Sequence, residues 1–153
     1  MLEFKLIYGI DGYEKAKEIR EEVFIAEQGF PYDYDEKDEV SFHIIGYDKE
    51  KTIAAARLYK RDDGYFVIGR VAVKKDYRKQ YIGDTLLRAL EDKVVNQMGT
   101  FVMVMAQVDA AGFYEKEGYQ KTGKTEVEEG VLHFEMTKDL SKPYKRCDCC
   151  QKK

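Results

Sequence analysis

The sequence predicts an α/β (α+β) fold in which a central mixed, mostly antiparallel β-sheet is flanked by helices. The main observation is the order of its segments, since strand and helix periodicities follow each other as β-α-β-β-β-α-β-α-β-β. The second is length, because 153 residues make one ordinary domain. With 44% hydrophobic residues, the chain is also too apolar to be disordered. One core is therefore expected to unite these segments.

The N-terminal half is predicted to contain one helix and four strands. Residues 3–8 alternate between apolar and polar side chains, which is typical of a strand. A helix is expected to begin at Asp11 or Gly12 and to end near Gln28, because apolar residues recur there at three- and four-residue spacing. Three strands follow the loop after it, with a hairpin turn at Asp63-Gly64 between the last two. They are predicted at residues 41–47, 52–60 and 65–73.

The C-terminal half is predicted to contain two helices and three strands. The longer helix runs from about Gly83 to Met98, and Gly99 stands where a C-terminal cap is expected. Its apolar stripe consists of Ile82, Leu86, Leu87, Leu90 and Val94. Residues 101–106 are continuously apolar, which indicates a strand covered on both faces. After a brief helix closed by Gly118, residues 119–126 and 131–138 are expected to pair as a hairpin.

Charge is segregated along the chain although the net charge is only −3. Residues 27–39 carry six carboxylates against one lysine, whereas residues 70–79 and 141–153 each carry five bases against one acid. This near-neutral sum disfavours nucleic-acid binding, which requires a broadly basic face. The acidic loop is expected either to attract a cationic amine or to be merely solvated.

The sequence excludes or disfavours several cellular locations. No run of about 20 apolar residues is present, so no membrane span is expected. The N-terminus lacks the pattern of a secretory signal, which favours a cytoplasmic location. We expect residues 1–140 to form the domain and residues 141–153 a basic tail. The tail holds Cys147, Cys149 and Cys150; it could ligate metal across a dimer, form a labile disulfide or, as we favour, do neither.

The segment IGRVAVKKDYRKQYIGDTLLRALE carries the strongest chemical signal. A strand leads through a glycine-containing turn directly into a helix. Free backbone N–H groups at a helix N-terminus form an anion site suited to a pyrophosphate, although such a joint is also ordinary α/β architecture. Basic side chains would add positive charge around it, at Lys74, Lys75, Arg78 and Lys79.

This turn resembles the pyrophosphate loop of the GNAT superfamily of acyl-CoA-dependent N-acetyltransferases, whose pattern is R/Q-x-x-G-x-G/A. The matching residues are Arg78, Lys79, Gln80, Tyr81, Ile82 and Gly83, so Tyr81 replaces the first glycine. A tyrosine can still offer its N–H if its dihedral angles are ordinary and its ring points away, so weakened or re-angled binding is expected. The resemblance implies an acetyl-CoA site where two strands splay apart. It would also involve Val71, Ala72 and Val73, with Val71 and Val73 offering backbone groups to the pantetheine.

The segment AQVDAAGFYEKEGYQKTG resembles the acceptor-side motif of the same superfamily. Members commonly use the tyrosine at the position of Tyr114 as the acid that protonates the departing CoA thiolate. A thiol pKa of about 8.5 against about 10 for tyrosine makes that transfer feasible in a positioned site. The resemblance therefore implies Tyr114 as general acid and as a neighbour of the cofactor. The alternative is an aromatic side chain that serves only the core.

A narrower resemblance, to the small bacterial ElaA-like branch, covers most of residues 20–138. It depends on the order of short pieces such as R-x-x-VF-x-x-EQ-x-x-P, ARL, IGRVAV and EEGVLHFEM. It implies an acceptor side that gathers Glu27, Gln28, His43, Arg70, Gln107 and His133. No glutamate stands on the long strand, so the available bases are His43, His133 or Glu27 acting through water. Gln28, Arg70 and Gln107 are then expected to bind the acceptor, and no metal is expected.

The function expected from this resemblance is acetyl transfer from acetyl-CoA to a primary amine by direct attack in a ternary complex. The acceptor would be a small molecule or a peptide, and a homodimer is a habit of the family. One alternative is a non-catalytic acyl-CoA-binding sensor or regulatory module, which the departure at Tyr81 makes plausible. Another is an interaction protein that docks a partner or metal through its tail.

Overall fold

The protein, described here from a computed structural model over residues 1–141, forms a seven-stranded sheet with three α-helices. The strands are β1 (Leu2–Tyr8), β2 (Phe42–Asp48), β3 (Lys51–Lys60), β4 (Phe66–Val73), β5 (Phe101–Gln107), β6 (Gln120–Glu128) and β7 (Val131–Asp139). The helices are α1 (Ile10–Arg20), α2 (Ile82–Asn96) and α3 (Ala111–Lys116). The predicted fold class and order of elements are confirmed. Residues of the C-terminal tail beyond 141, including its three cysteines, lie outside the described part of the chain.

The sheet has the strand order β1-β2-β3-β4-β5-β7-β6. Every neighbouring pair is antiparallel except β4 and β5, which are parallel. The hairpins predicted between β3 and β4 and between β6 and β7 are both present. The connection through α2 allows β4 and β5 to run parallel. This parallel pair lies near the middle of an otherwise antiparallel sheet.

Helices cover both faces of the sheet. On the face that we call the α2 face, the predicted stripe of α2 packs on the even-numbered residues of β3 and β5, with Leu86, Leu87 and Leu90 fully buried. On the opposite α1 face, Ala16 and Ile19 pack on Ile45, Ala55 and Ala72. Alternating strand residues thus contribute to two cores, one on each face of the sheet, so the expectation of a single core is wrong.

The first helix differs from its prediction in its second half. The α-helix ends at Arg20, and Glu21–Glu27 continue as a π-helical segment. Its wider turn is seen in the Gln28 N–H, which donates to the Val23 carbonyl at 3.0 Å. Apolar periodicity could not reveal this change, because a π-turn shifts the register of side chains without altering their hydrophobicity.

The C-terminal end of α2 also differs from its prediction. The left-handed residue is Met98, with φ +66°, and not Gly99. A Cβ on Gly99 would lie 2.6 Å from side-chain atoms of both Phe66 and Val94, so close packing requires the glycine. The sequence thus located a required glycine correctly, but Gly99 is required for close packing and not as the left-handed cap of the helix.

The acidic loop between α1 and β2 is anchored by buried ion pairs. Asp33 and Asp38 are nearly or fully buried, and a 3₁₀ helix (Glu36–Val40) forms within the loop. Arg20 donates to Asp33 at 2.7 Å and to Asp38 at 2.6 Å. Arg57 donates to Asp35 at 2.6 Å and to Asp38 at 2.9 Å. The expectation of a solvated or amine-attracting loop is therefore wrong for these three carboxylates, because arginines already neutralise them.

We predict that Asp38→Asn destabilises the protein by about 3 kcal/mol or more near neutral pH, because Arg20 and Arg57 would keep a buried charge without its partner. Burial alone would raise the pKa of Asp38, but the hydrogen bond and charge of Arg20 and the charge of Arg57 outweigh it and hold this pKa at about 2. A lowered pKa contributes stability that is complete above the ordinary range near 4 and is lost as the pH falls toward 2.

Urea unfolding at several pH values checks this prediction. The variant should lose less stability than the wild type between pH 4 and pH 2. Asp62→Asn, which removes a carboxylate from an exposed turn, is the matched control and should change little. Equal effects of the two substitutions would show that the buried network does not stabilise the fold.

Candidate active site

The sheet opens between β4 and β5. The two strands pair over three positions only, from Phe66 with Val102 to Ile68 with Val104. Beyond them, β5 continues in register with β7 as far as Gln107. The splayed strands that the sequence led us to expect are thus present, and they leave one edge of β4 without a partner strand in the described chain.

A β-bulge sits in β4 where the strands separate. Ala55 faces Ala72 and Arg57 faces Gly69, so β4 contains one extra residue between these pairs. Arg70 occupies the bulge with φ +49°, a left-handed conformation that costs a non-glycine residue about 1–2 kcal/mol. Its guanidinium is held by the Asp33 carboxylate at 2.9 Å and donates to the Asp33 carbonyl at 3.0 Å. These contacts hold the strained residue against the loop.

The bulge and the strand alternation turn backbone groups of β4 toward the opening. The N–H of Lys74 donates to the Ile53 carbonyl of β3 at 2.8 Å. Because backbone groups alternate in direction along a strand, those of Val73 and Val71 face the side away from β3. The Val73 carbonyl accepts a hydrogen bond from Arg78 Nε at 2.8 Å on that side. Ala72 instead packs its side chain against the α1 core.

The loop that leads into α2 has an unusual backbone. Lys79 and Tyr81 have φ values of +64° and +62°, and Tyr81 is the N-cap of α2. Tyr81 is 62% exposed, so its side chain lies largely in solvent, as cofactor binding would require. Its backbone dihedral angles do not meet the other condition, that they be ordinary. The position demands the left-handed backbone that glycine adopts freely, and tyrosine adopts it with strain.

Gly83, in the first turn of α2, faces the ring of Phe113. A Cβ at this position would lie 3.1 Å from Phe113 Cζ, which is tighter than most real contacts. The glycine therefore lets α2 approach α3, the helix that carries Tyr114. This packing joins the candidate phosphate loop to the candidate acid. On the other side of the loop, Gln80 Nε2 donates to the Asp76 carbonyl at 3.3 Å.

Arg78 and Glu27 form a two-bond ion pair above this loop. The guanidinium donates to the two carboxylate oxygens at 2.7 and 2.6 Å. The hydrogen bond from Arg78 lowers the pKa of Glu27, which makes its carboxylate a weaker base. The structure thus brings Glu27 to the cofactor side and not to the acceptor side, which disfavours its expected role as a base.

A cavity of about 770 Å³ lies on the α1 face beside the opening. Its walls are the acidic loop, the ends of β4 and β5, and the β6–β7 hairpin. The exposed hydroxyl of Tyr32 donates to Glu129 at 3.4 Å and so links the loop to the hairpin turn. The predicted site residues that line the cavity are Gln28, Arg70, Val71, Gln107, Tyr114 and His133.

Tyr114 reaches the cavity from the other side of the sheet. Its side chain is 8% exposed and packs in the core of the α2 face, with ring centroids 5.1 Å from Phe113 and 5.6 Å from Tyr119. Since it also lines the cavity on the α1 face, it must lie at the gap between β4 and β5. Within residues 1–141 its hydroxyl has no hydrogen-bond partner. Burial raises the pKa of the phenol, which keeps it protonated.

His133 also lines the cavity, from β7. Its Nδ1 lies 2.9 Å from the Val131 carbonyl, so this nitrogen is the donor and a neutral ring leaves Nε2 as an acceptor. The sheet register places His133 between Gln107 on β5 and Glu126 on β6. Gln107 in turn donates to Gln28 Oε1 at 2.9 Å, which fixes both amides at the rim of the cavity.

His43 does not reach the cavity. It is fully buried under α1, where its Nε2 lies 2.9 Å from the Asp38 carbonyl. A Cβ on Gly12 would lie 2.7 Å from its ring, so the helix is packed directly upon it. Burial lowers its pKa and favours the neutral imidazole. Of the alternatives for this histidine, the geometry favours a buried structural side chain over a catalytic one.

Four glutamates on the hairpin side of the cavity were missed at the level of sequence. They are Glu126, Glu128, Glu129 and Glu135. Their signal was present, since Glu126 and Glu128 are spaced by two in a strand and so share the face that carries His133. Among the described residues no group of three or more metal-binding side chains is arranged as a metal site, and none of the helices is long and apolar enough to span a membrane.

An open parallel strand pair, a helix N-terminus beside it and a cavity at the gap are the features of GNAT-fold acyltransferases. Residues 13–140 match the family described as acetyltransferase (GNAT) domain. The chain therefore belongs to the GNAT acetyltransferase family, whose members use acyl-CoA as co-substrate.

Relatives and solved structures agree with this assignment. The chain is 36% identical over 124 residues to the uncharacterized N-acetyltransferase YjcF of Bacillus subtilis, with 79% of this chain and 88% of YjcF covered. The crystal structure of Escherichia coli ElaA has a TM-score of 0.79 at 28% identity and covers 91% of this chain and 100% of ElaA. That of an acyl-CoA N-acyltransferase from Pseudomonas aeruginosa has a TM-score of 0.79 at 26% identity, covering 90% and 99%. The expected likeness to ElaA is confirmed.

We predict that Tyr81→Gly stabilises the protein by about 1 kcal/mol, because glycine relieves the left-handed strain at the N-cap of α2. The relaxed loop should also bind acetyl-CoA several-fold more tightly. Urea unfolding and calorimetric titration measure the two effects.

Tyr81→Ala is the matched control, since it removes the ring and keeps the strain. If the alanine variant gained as much stability and affinity as the glycine variant, the ring and not the backbone would be responsible.

Proposed function

We propose that the protein transfers the acetyl group of acetyl-CoA to a primary amine by direct attack within a ternary complex. The observation that carries the proposal is the position of Tyr114, which lies at the gap between β4 and β5 and lines the cavity on the opposite face. A single buried hydroxyl can thus face the thioester of a ligand in the gap and an amine in the cavity. The catalytic domain in this proposal is residues 1–140.

The cofactor is proposed to bind along the unpaired edge of β4 and the N-terminus of α2. Backbone groups of Val71 and Val73 face this edge and suit the amides of a pantetheine, as an added strand would. The N–H groups at the start of α2, around Ile82 and Gly83, suit a pyrophosphate. When bound, acetyl-CoA supplies an activated acetyl group as a thioester.

Tyr114 is proposed as the general acid. An amine that attacks a thioester releases a thiolate, which must gain a proton. Burial raises the pKa of the Tyr114 phenol above its ordinary value, so the hydroxyl keeps the proton that it would donate to the thiolate.

His133 is proposed as the base that accepts the proton of the incoming ammonium. It lines the cavity, and its Val131 contact leaves Nε2 as the acceptor. The other two predicted bases are disfavoured, since His43 is sealed under α1 and Glu27 is paired with Arg78. Gln28, Gln107 and Arg70 line the same cavity and are proposed to orient the acceptor.

A non-catalytic acyl-CoA sensor remains the second candidate, because two observations favour it. Tyr81 strains the loop that would hold the phosphates, and the Arg78 guanidinium is already occupied by Glu27. Both would lower affinity for the cofactor without removing it. A cytoplasmic location and a homodimer remain predictions from sequence and resemblance.

We expect Tyr114→Phe and His133→Gln to lower kcat by about 100-fold or more, because each removes one proton transfer. Acetyl-CoA-dependent thiol release with a panel of amines measures the rate.

Tyr65→Phe is the matched control, since this exposed tyrosine lies on the hairpin turn away from the cavity. Acetyl-CoA affinity should stay near the wild-type value in all three variants. Unchanged turnover in Tyr114→Phe would contradict the assigned acid, whereas binding of acetyl-CoA without turnover of any amine would favour the sensor.

A further inference from the structure

We propose that the acceptor is a linear diamine or polyamine, whose second positive charge is bound by the glutamates of the β6–β7 hairpin. This inference rests on the proposed function, because it names the acceptor class of the same cavity. Its basis is the distribution of unpaired charge around the cavity walls and the position of Tyr114 and His133, whose side chains line the cavity.

The wall formed by the loop and β4 is electrically balanced. The carboxylates of Asp33 and Asp35 line it, but Arg70 and Arg57 pair with them at 2.9 and 2.6 Å. Arg61, which also lines the cavity, pairs with Asp63. These charges therefore neutralise one another and offer no net attraction to an incoming cation.

The hairpin wall is acidic and largely unpaired. Of its four glutamates, Glu129 accepts a hydrogen bond from the Tyr32 hydroxyl and Glu135 interacts electrostatically with Arg61, whereas Glu126 and Glu128 have no side-chain partner among the described residues. The remaining cationic groups on the cavity are Lys37 and Lys124, and the Lys37 ammonium lies over the Tyr59 ring at 5.3 Å. Lys37 belongs to the loop, so four carboxylates stand against one ammonium group, that of Lys124, on the hairpin wall. The excess of negative charge favours a cationic ligand.

Two buried polar groups mark where the ligand reacts. The Tyr114 hydroxyl and His133 Nε2 belong to side chains that are 8% and 6% exposed and that line the cavity. Neither atom has a hydrogen-bond partner within residues 1–141. Neither atom is sealed off from the cavity, so both can form hydrogen bonds with a polar ligand in the space between them.

The sheet register sets the distance between the two ends of the ligand. Gln107, His133 and Glu126 form one row across β5, β7 and β6. Because neighbouring strands are about 4.8 Å apart, Glu126 lies about 10 Å from the β5 edge of the opening. A linear molecule with two amines at about this separation can place one at the opening, one strand away from His133, and the other among the glutamates.

The size of the cavity favours a small molecule over a peptide. Its volume of about 770 Å³ falls within the range of about 300–1,000 Å³ that is typical of small-molecule sites. Lysine peptides present the same chemistry, so they form a separate arm of the test.

The test uses three linear primary amines of equal length, about eight carbons each, which span about 10 Å when extended. Their far ends carry an amine, an alcohol or a carboxylate. We expect kcat/KM to be about 5-fold or more higher for the diamine than for the alcohol at low ionic strength, and lowest for the carboxylate. Spermidine should behave like the diamine, and a lysine peptide should be poorer than either. Added salt should shrink the difference.

Substitutions of the hairpin glutamates test whether these residues cause the preference for the diamine. Glu126→Gln combined with Glu128→Gln should bring the diamine-to-alcohol ratio close to 1. Glu14→Gln, an exposed carboxylate on α1, is the control and should keep the wild-type ratio. Equal use of the diamine and the alcohol, or a ratio unaffected by the double substitution, would overturn the proposal, as would preference for the peptide.

Calorimetric binding to the acetyl-CoA-loaded protein separates this inference from the proposed function. Tighter binding of the diamine than of the alcohol, without turnover of either, would uphold the charge inference and contradict acetyl transfer. Binding of the diamine no tighter than that of the alcohol would overturn the charge inference whatever the rate of turnover.

Discussion

The buried ion-pair network of Arg20, Asp33, Asp38, Arg57 and Arg70 is the constraint on which the site depends. It ties the end of α1, the acidic loop and two central strands into one unit. Breaking such a pair is expensive, because the partner left behind keeps its charge in a dry environment. The network therefore fixes the loop as one wall of the cavity. It also neutralises that wall, which leaves the electrostatic character of the cavity to the opposite hairpin.

The same network supports the distorted strand at the centre of the sheet. Arg70 stands in the β4 bulge with a left-handed backbone, and its contacts with Asp33 offset that strain. The bulge helps β4 to diverge from β5, and the gap is where Tyr114 meets the cavity. On the other face, Gly83 lets α2 pack on Phe113, next to Tyr114 in sequence. The proposed phosphate loop, the proposed acid and the cavity wall are thus coupled through direct packing.

Much of this arrangement could be predicted from the sequence, because it follows from periodicity and short motifs. Strand alternation and the stripe of α2 predicted the elements, and the loop and FYEK motifs predicted the location of Arg78–Gly83 and Tyr114. The remainder depends on contacts between distant residues. His43 and His133 look alike in sequence, and only the sheet register puts one under a helix and the other on a cavity. Likewise, no local pattern shows that arginines from three separate elements neutralise the acidic loop.

The central claim is that acyl-CoA binds in the gap between β4 and β5 with its phosphates at the start of α2. Titration of the protein with acetyl-CoA, followed through its backbone amide resonances by NMR, tests it most directly. The account predicts the largest shifts at Val71, Val73 and Gly83, with little change in β1 at the far edge of the sheet. Shifts that bypass β4 and the α2 N-terminus, or binding with no change at these amides, would contradict it.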